Sequence, residues 1–370
     1  MDTSKIYNQI YELPKVDLHR HIDGAVKPDL VLKLAEKYGI KIPSASQEEF
    51  RKLYTINPKN NEPLTITELF KRFAWTIGVM RIPEGLREVA YHQVLDLAEE
   101  NIVYAELRFA PGYHSKYPAP FYDPKEYEET IFPVLSLEEV MNNIIYGLEK
   151  GMKETGIHVN LTLSIPRESQ TMYGMDSALE IAKLAIKYQN KGVTAIDLAC
   201  DEFTYPPGPY ATVFQKTIGS TIRRDPHAGE MGTDEQRLEN IKTCIFDLNA
   251  NGLGHAIPLW KNKELVEHIK SSNVRIERNP WTDSSVRGIG EDGTDYLLKE
   301  NVCISICSDD PILMEGSLTE NFIKVINKYS WTEKDLHKII FNAVNSGFYR
   351  SSEQEKAVKE FFKQQNSTHL

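Results

Sequence analysis

Histidine and carboxylate side chains follow short apolar runs at several separate places in the chain. The last of these runs ends in Ser-Asp-Asp-Pro, with Asp309 and Asp310 side by side. Two adjacent carboxylates disfavour each other's ionised form unless a cation or a hydrogen-bond donor intervenes. Serine, aspartate and proline also form turns, so a solvated turn would explain the same four residues.

A His-x-His pair near the N-terminus, His19 and His21, could supply ligands for such a cation. Residues two apart in a strand point to the same face, so both imidazoles could reach one metal ion. The pair alone could equally be a surface pair or two satisfied core histidines. With His227 and Asp309 it provides three nitrogens and one oxygen. Such a set, with a position left open for water, is typical of a catalytic zinc.

Two more side chains could act on water and substrate beside that ion. A metal lowers the pKa of its bound water to about 7, and His255 would then orient or deprotonate this water. Glu230 follows His227 by three residues, beyond a glycine, so the chain can turn and present its carboxyl group. A carboxylic acid there could pass a proton to a substrate nitrogen. Asp310 would still need a donor, such as a protonated substrate nitrogen.

Eight strand-like runs could bring these side chains together. Helix-period segments lie between most of them, which indicates an α/β protein with a parallel sheet of βαβ units. Eight units favour a closed (β/α)8 TIM barrel, in which functional groups gather at the carboxyl ends of the strands. The predicted strands span residues 15–22, 102–111, 158–166, 193–202, 219–230, 252–257, 273–280 and 301–311.

The segment 23–101 is too long for one connection between a strand and a helix. It contains at least two helical patterns, at 28–39 and 66–78, which predict a helical insertion or lid over the end of the first strand. Because the chain contains no internal repeat and no Gly/Ser linker, we interpret residues 1–370 as a single domain.

Composition narrows the class of ligand. The 370 residues carry a formal net charge of −10, which excludes a general nucleic-acid or anionic-membrane binder because phosphate binding depends on lysine and arginine. We find no signal sequence and no apolar stretch long enough to span a bilayer. The four cysteines are too sparse for a disulfide scaffold. These features are compatible with a cytoplasmic enzyme that acts on a neutral or cationic small molecule, and they do not indicate an oligomeric state.

Six longer motifs contain the candidate residues. They read LPKVDLHRHIDGAV (13–26), YAELRFAP (104–111), AIDLACDE (195–202), HAGE (227–230), GLGH (252–255) and SICSDDP (305–311). In order and spacing they resemble the adenosine deaminase family, within the metal-dependent amidohydrolase superfamily. The resemblance implies a zinc-dependent hydrolytic deamination of adenosine and deoxyadenosine to inosine and ammonia, in purine salvage.

The resemblance also implies a role for each motif residue. One zinc ion would be bound by His19, His21, His227 and Asp309. His255 would position the zinc-bound hydroxide against carbon six of the purine. Glu230 would protonate nitrogen one, and Asp310 would hydrogen-bond nitrogen seven.

On the substrate side, the resemblance implies that Asp23 binds the ribose 5′-hydroxyl and that His21 also faces the substrate. Cys200 would lie at purine nitrogen three, where the family usually has glycine. The insert LTITELFKRFAW (64–75) is similar to the family's apolar gate over the purine, although the same stripe could simply be helix core. The gate residues would be Ile66, Leu69, Phe70 and Phe73.

Three stretches depart from the family pattern: Cys200, the charged run Arg223–Pro226 before HAGE, and Arg278 in the seventh strand. Charges do not suit a barrel interior, and a proline removes a donor from the sheet. The same chemistry could therefore act on another aminopurine, such as adenine, methylthioadenosine or aminodeoxyfutalosine. A non-catalytic relic that still binds nucleosides is the alternative from another class.

Overall fold

Short parallel strands form the centre of the molecule in the computed structural model, which describes residues 3–41, 46–56, 66–117 and 134–368. The strands are β1 (Lys15–His21), β2 (Ile102–Phe109), β3 (His158–Pro166), β4 (Val193–Ala199), β5 (Arg223–Arg224), β6 (His227–Ala228), β7 (Gly252–His255), β8 (Arg275–Arg278) and β9 (Ile304–Ile306). Hydrogen bonds join β1 to β5 in chain order, and β6 to β9 likewise, and every neighbouring pair is parallel.

The two sheets are parts of one barrel. The amide of His21 donates to the Asp309 carbonyl at 2.8 Å, and the amide of Asp309 donates to the His19 carbonyl at 2.9 Å, so the chain after β9 lies beside β1. β5 and β6 are two pieces of one predicted strand, interrupted by Asp225 and Pro226. When β5 and β6 are counted as one strand, the barrel has eight strands. The predicted (β/α)8 barrel is thus confirmed.

The helices surround the barrel and precede or follow its strands. Several begin with a capping box, in which a serine or threonine side chain and an acidic or glutamine side chain three residues later satisfy free backbone amides. The helices are α1 (Thr3–Glu12), α2 (Pro28–Tyr38), α3 (Gln47–Tyr54), α4 (Ile66–Val79), α5 (Pro83–Glu99), α6 (Leu137–Thr155), α7 (Met175–Tyr188), α8 (Ala211–Gln215), α9 (Asp234–Phe246), α10 (Lys263–Ser272), α11 (Thr294–Lys299), α12 (Leu318–Tyr329), α13 (Glu333–Ser346) and α14 (Ser352–Thr368). Among the described residues, no helix is long and apolar enough to cross a membrane.

In its described residues, the segment after β1 contains four helices, α2 to α5. The first three pack on one another, and Tyr54 ties them together because its hydroxyl donates to the Val26 carbonyl at 2.9 Å and lies 3.0 Å from the Thr76 hydroxyl. The last of the four, α5, packs along α6 and against β2, as a helix of the outer ring does.

A buried ion network fills the barrel interior below the histidines. Arg275 contacts Glu106 at 2.6 Å, Asp225 at 2.7 Å and Glu277 at 2.6 Å, and all four side chains are at most 1% exposed. Arg108 adds contacts to Glu277 at 2.8 Å and to Asp225 at 3.3 Å. The expectation that charges do not suit this interior was therefore wrong for Asp225, because two arginines from β2 and β8 compensate its charge.

The other unexpected charges have separate explanations. Arg223 is exposed, and the half-buried Arg224 donates to the Asn249 carbonyl at 2.6 Å. Arg278 is fully buried, and its guanidinium donates to the carbonyls of His255 and Asp292. Arg278 thus connects β7 to the loop that follows β8.

Candidate active site

Four potential metal ligands converge at the carboxyl ends of the strands. His19 and His21 come from β1, His227 from β6, and Asp309 from the loop after β9. One donor atom from each lies within 4.8 Å of the other three. The Nε2 atom of His227 lies 3.1 Å from that of His19 and 3.2 Å from that of His21. Asp309 Oδ1 lies 3.4 Å from both β1 histidines.

Buried carboxylates hold two of these imidazoles in the form that binds metal. Glu277 lies 2.8 Å from His19 Nδ1, and Asp197 lies 2.8 Å from His227 Nδ1. An ionised carboxylate only accepts hydrogen bonds, so each Nδ1 carries the proton and each Nε2 turns a lone pair to the centre of the cluster. Burial, together with Arg108 and His227, also lowers the pKa of His19 to about 3, which keeps the ring neutral.

This arrangement fits a divalent ion. Two bare nitrogen lone pairs facing each other at 3.1 Å repel unless a cation lies between them. Two nitrogens bound to a tetrahedral zinc, each at about 2.0–2.1 Å, are separated by roughly 3.3 Å. The spacing and the mixed nitrogen and oxygen donors therefore match a zinc-type centre better than a hydrogen-bonded cluster.

Two glycines allow side chains of the site to approach the backbone closely. A Cβ atom on Gly254 would lie 2.7 Å from the His19 ring, and one on Gly24 would lie 1.6 Å from Asp310 Oδ1. Any larger residue would displace the ligand in the first case and the carboxylate in the second. The GLGH and HIDG sequences thus provide space as well as ligands.

His255 is placed beside the cluster at the end of β7. Its Nδ1 lies 2.9 Å from Asp283 Oδ1, and its Nε2 lies 3.5 Å from Glu230 Oε1 and 4.0 Å from Asp309 Oδ2. Burial disfavours the charged ring, but Glu230 and Asp283 outweigh burial and raise the pKa of His255 to about 9. Sequence reasoning missed Asp283, although it follows β8 and the rule about strand ends could have found it.

Glu230 is fixed by a turn and by an ion pair. Glu202 accepts the backbone amides of Gly229, Glu230 and Met231 at 2.7–3.0 Å, so it shapes the turn after β6. The guanidinium of Arg287 donates to Glu230 Oε1. Burial opposes ionisation of Glu230, but Arg287 and then His255 outweigh it and lower the pKa of Glu230 to about 2. Sequence reasoning missed Glu202 and Arg287, since both act from loops.

A cavity opens beside the cluster, and its empty space of about 650 Å³ includes open solvent. It is lined by His21, Asp23, Phe70, Phe73, Ala110, Tyr113, Ser164, Ala199, Cys200, His227, Glu230, Met231, Arg287, Asp309, Asp310 and Met314. The predicted gate residues Phe70 and Phe73 are thus at the cavity, whereas the side chains of Ile66 and Leu69 are outside the described part of the structure.

Two carboxylates that line this cavity each have one buried oxygen without a hydrogen-bond partner in the described part of the chain. Among the described residues, Asp23 Oδ1 and Asp310 Oδ1 are buried and accept no hydrogen bond. Burial raises the pKa of Asp23 to about 6, and burial together with Asp309 raises the pKa of Asp310 well above its usual range. Buried carboxylate oxygens are normally satisfied, so both call for donors from a ligand.

Cys200 follows β4 with a φ of 81°, in the left-handed region that favours glycine. Its Sγ lies 3.3 Å from the hydroxyl of Tyr113 at the cavity wall. His255 and Asp309 also have positive φ, of 63° and 62°. Such conformations persist at functional sites where the surroundings hold them.

The barrel and its centre define a class of protein, namely a (β/α)8 barrel with three histidines and one aspartate that can hold a metal at the carboxyl ends of its strands. Residues 14–364 match the model of the family described as "Adenosine deaminase". The chain therefore belongs to the adenosine deaminase family, and this prediction is confirmed.

The chain aligns with curated relatives over nearly their whole length. The chain is 28% identical over 350 residues to an adenosine deaminase of Clostridium perfringens (strain SM101), covering 94% of this chain and 97% of the relative. It is 29% identical over 358 residues to an adenosine deaminase of Clostridium botulinum (strain Langeland), covering 95% and 98%.

Solved structures show the same fold at lower identity. An adenine deaminase from Arthrobacter aurescens has a TM-score of 0.78 at 20% identity, covering 95% of this chain and 99% of that one. An amidohydrolase from Burkholderia ambifaria with bound Zn has a TM-score of 0.79 at 19% identity, covering 100% and 95%. An N6-methyl-AMP deaminase from Arabidopsis thaliana has a TM-score of 0.76 at 21% identity, covering 97% and 98%.

Proposed function

We propose that this protein deaminates adenosine and deoxyadenosine hydrolytically, giving the 6-oxopurine nucleoside and ammonia. The observation that carries the proposal is a pair of buried oxygens without partners among the described residues, Asp23 Oδ1 and Asp310 Oδ1, in one cavity with the candidate metal ligands. A purine nucleoside has ribose hydroxyl donors at one end, and at the other end nitrogen seven, which pairs with a carboxyl group when one of the two is protonated. The cytoplasmic location remains a prediction.

The metal-capable cluster has a defined place in this reaction. A zinc ion bound by His19, His21, His227 and Asp309 would supply water activated for attack near neutral pH. Arg108 supports the ligand set from below, since its Nη2 lies 2.8 Å from the same Glu277 oxygen that holds His19. His19 and His227 are thus held in a fixed orientation by Glu277 and Asp197.

Two other side chains would handle protons and orientation. His255 lies between Asp283 and Glu230 and would orient the attacking water. Because the pKa of His255 is raised to about 9, its ring must first lose its own proton before it can take one from that water. Glu230 would deliver a proton to nitrogen one of the ring. To do so, its carboxylate must first acquire a proton and exchange its contact with Arg287 for one with the ring.

The two ends of the purine nucleoside would be bound by Asp310 and Asp23. Asp310 would accept a hydrogen bond from a protonated nitrogen seven, or donate one to the bare nitrogen when it is itself protonated. Asp23 would accept the ribose 5′-hydroxyl. The rings of Phe70 and Phe73, with centroids 6.5 Å apart, would cover the base.

A second candidate substrate is a free aminopurine base. Its support is Cys200, which places a side chain at the wall where glycine would leave space for the sugar end of a nucleoside. One structural neighbour is an adenine deaminase. Adenine would use the same ligands and proton carriers without needing Asp23.

A substrate panel tests the proposal. Zinc-loaded protein is mixed with adenosine, deoxyadenosine, adenine and methylthioadenosine, and the loss of the aminopurine ultraviolet band is measured together with ammonia release. We expect adenosine and deoxyadenosine to have the highest kcat/KM. Faster turnover of adenine would favour the second candidate, and binding of nucleosides without any ammonia release would indicate a non-catalytic relic.

A further inference from the structure

A guanidinium enters the cavity from the loop after β8. Arg287 lines the cavity and is the only arginine or lysine among the described residues that do so. One of its terminal nitrogens donates to Glu230, while its Nε is buried without a hydrogen-bond partner. A buried N–H group nearly always has an acceptor in a native structure. The unused donors of Arg287 therefore call for an acceptor on a ligand.

Glu230, the ion-pair partner of Arg287, offers a hydrogen-bond acceptor to a ligand. The contacts of the Glu230 carboxylate with Arg287 and with His255 both use Oε1. Among the described residues, none donates a hydrogen bond to Oε2. The ion pair thus presents an acceptor oxygen and, next to it, guanidinium donors.

The complementary ligand edge is a lactam, which has a ring N–H beside a carbonyl oxygen. The N–H would donate to Glu230 Oε2, and the carbonyl would accept from Arg287. The edge of a 6-aminopurine has the reverse pattern, with a bare ring nitrogen beside an amino donor. Two kinds of purine carry the lactam: 6-oxopurines, and purines with an oxo group at carbon two.

We propose that Arg287 is a specificity-determining residue of this cavity, and that its ion pair with Glu230 selects purines with a lactam edge at the position Glu230 contacts. The inference rests on the proposed function, because it takes the cavity to be a purine pocket. A lactam at carbon six would make Arg287 the residue that retains the 6-oxopurine product. A lactam at carbon two would make 2-oxo-6-aminopurines preferred substrates.

The experiment measures equilibrium binding by titration calorimetry with purines that have no amine to lose. The probes are hypoxanthine, 2-oxopurine and 6-methylpurine, each as the base and as the riboside, and 6-methylpurine has a bare nitrogen one and no oxo group. Wild-type protein is compared with Arg287→Gln, with Arg287→Lys, and with the control Arg223→Gln, an exposed arginine outside the cavity.

We expect at least one oxo ligand to bind wild type about tenfold or more tightly than 6-methylpurine. Arg287→Gln should lower the affinity for that ligand about ten- to a hundredfold, the usual effect of losing a hydrogen bond to a charged group. The same variant should change the affinity for 6-methylpurine less than about threefold. Arg287→Lys should fall between, because a lysine keeps the charge but not the fork of donors. The control should match wild type.

Each other outcome is informative. If only hypoxanthine binding depends on Arg287, the result supports retention of the 6-oxopurine product. If only 2-oxopurine binding depends on Arg287, the result supports a 2-oxo substrate. Equal effects of Arg287→Gln on all three ligands, or a wild-type preference for 6-methylpurine, would overturn the inference while leaving the purine pocket intact. Failure of every base and riboside to bind would overturn the proposed function and this inference together.

Discussion

The Nε2 atoms of His19 and His227 lie 3.1 Å apart, although the two residues are 208 positions apart in the chain. Each ring is held from behind by a buried carboxylate, Glu277 or Asp197, that fixes the proton on Nδ1. Neither nitrogen can donate to the other in that state. A cation between the rings would remove the repulsion between their lone pairs.

The carboxylate behind His227 should determine metal affinity. In Asp197→Asn, the amide oxygen still accepts from Nδ1, but the negative charge that makes the imidazole a better ligand is lost. We expect metal affinity to fall about ten- to a hundredfold, as is typical for such outer partners. Competition with a chelating dye measures it. The exposed Asp176→Asn serves as the control and should bind metal as wild type does.

Glu230→Gln should separate metal binding from turnover. Glu230 is not among the four candidate ligands. The variant should therefore keep its metal content while kcat falls by about two to four orders of magnitude, the usual contribution of general acid–base catalysis. Near-normal turnover in this variant would remove Glu230 from the reaction. Glu239→Gln, at an exposed position on α9, controls for the loss of charge.

The ion network below the histidines should be important for stability. Arg275→Met removes the positive partner of Glu106, Asp225 and Glu277, and leaves buried carboxylates with only Arg108 to compensate them. We expect the free energy of unfolding in urea to fall by about 3–5 kcal/mol.

The matched control for Arg275 is an exposed ion pair. Lys52 lies 2.7 Å from Glu48 on the surface of α3, and Lys52→Met should lower the free energy of unfolding far less than Arg275→Met, because solvent screens an exposed pair. Similar small losses in both variants would show that the buried network contributes no more than a surface pair.

At position 200, glycine should give a more stable protein than alanine, the reverse of their usual order. At most positions alanine is the more stable of the two, but at a φ of 81° its Cβ atom is strained. The left-handed conformation costs a residue with a Cβ roughly 1–2 kcal/mol. We therefore expect Cys200→Gly to be more stable than Cys200→Ala by about 1 kcal/mol in thermal or urea unfolding. Higher stability of the alanine variant would contradict the backbone geometry at this position.

The barrel, and the gathering of the four candidate ligands at its strand ends, could be predicted because they depend on local patterns. Alternation of strands and helices indicates the fold, and the fold places residues such as His19 and Asp309 at the strand ends. The end of β4 could not be read from AIDLACDE, since the apolar pattern continues past Ala199 into the turn at Cys200. Local periodicity does not record where the backbone leaves the sheet.

The supporting residues could not be predicted, because their partners are distant in sequence. The charge of Asp225 alone does not suit a barrel interior. Its compensating partner, Arg275, lies 50 residues further on in the chain. Arg287 and Glu202 act from loops whose course no pattern specifies. Charge compensation across a barrel depends on tertiary contacts, and a single sequence does not display them.

Metal content tests the central claim most directly. Protein supplied with zinc and then freed of unbound ions is subjected to elemental analysis, beside a His19→Ala/His227→Ala double variant whose folding is checked by circular dichroism. The account predicts one ion per wild-type chain and almost none in the folded double variant. A wild-type protein without a stoichiometric ion, or a double variant that keeps one, would contradict it.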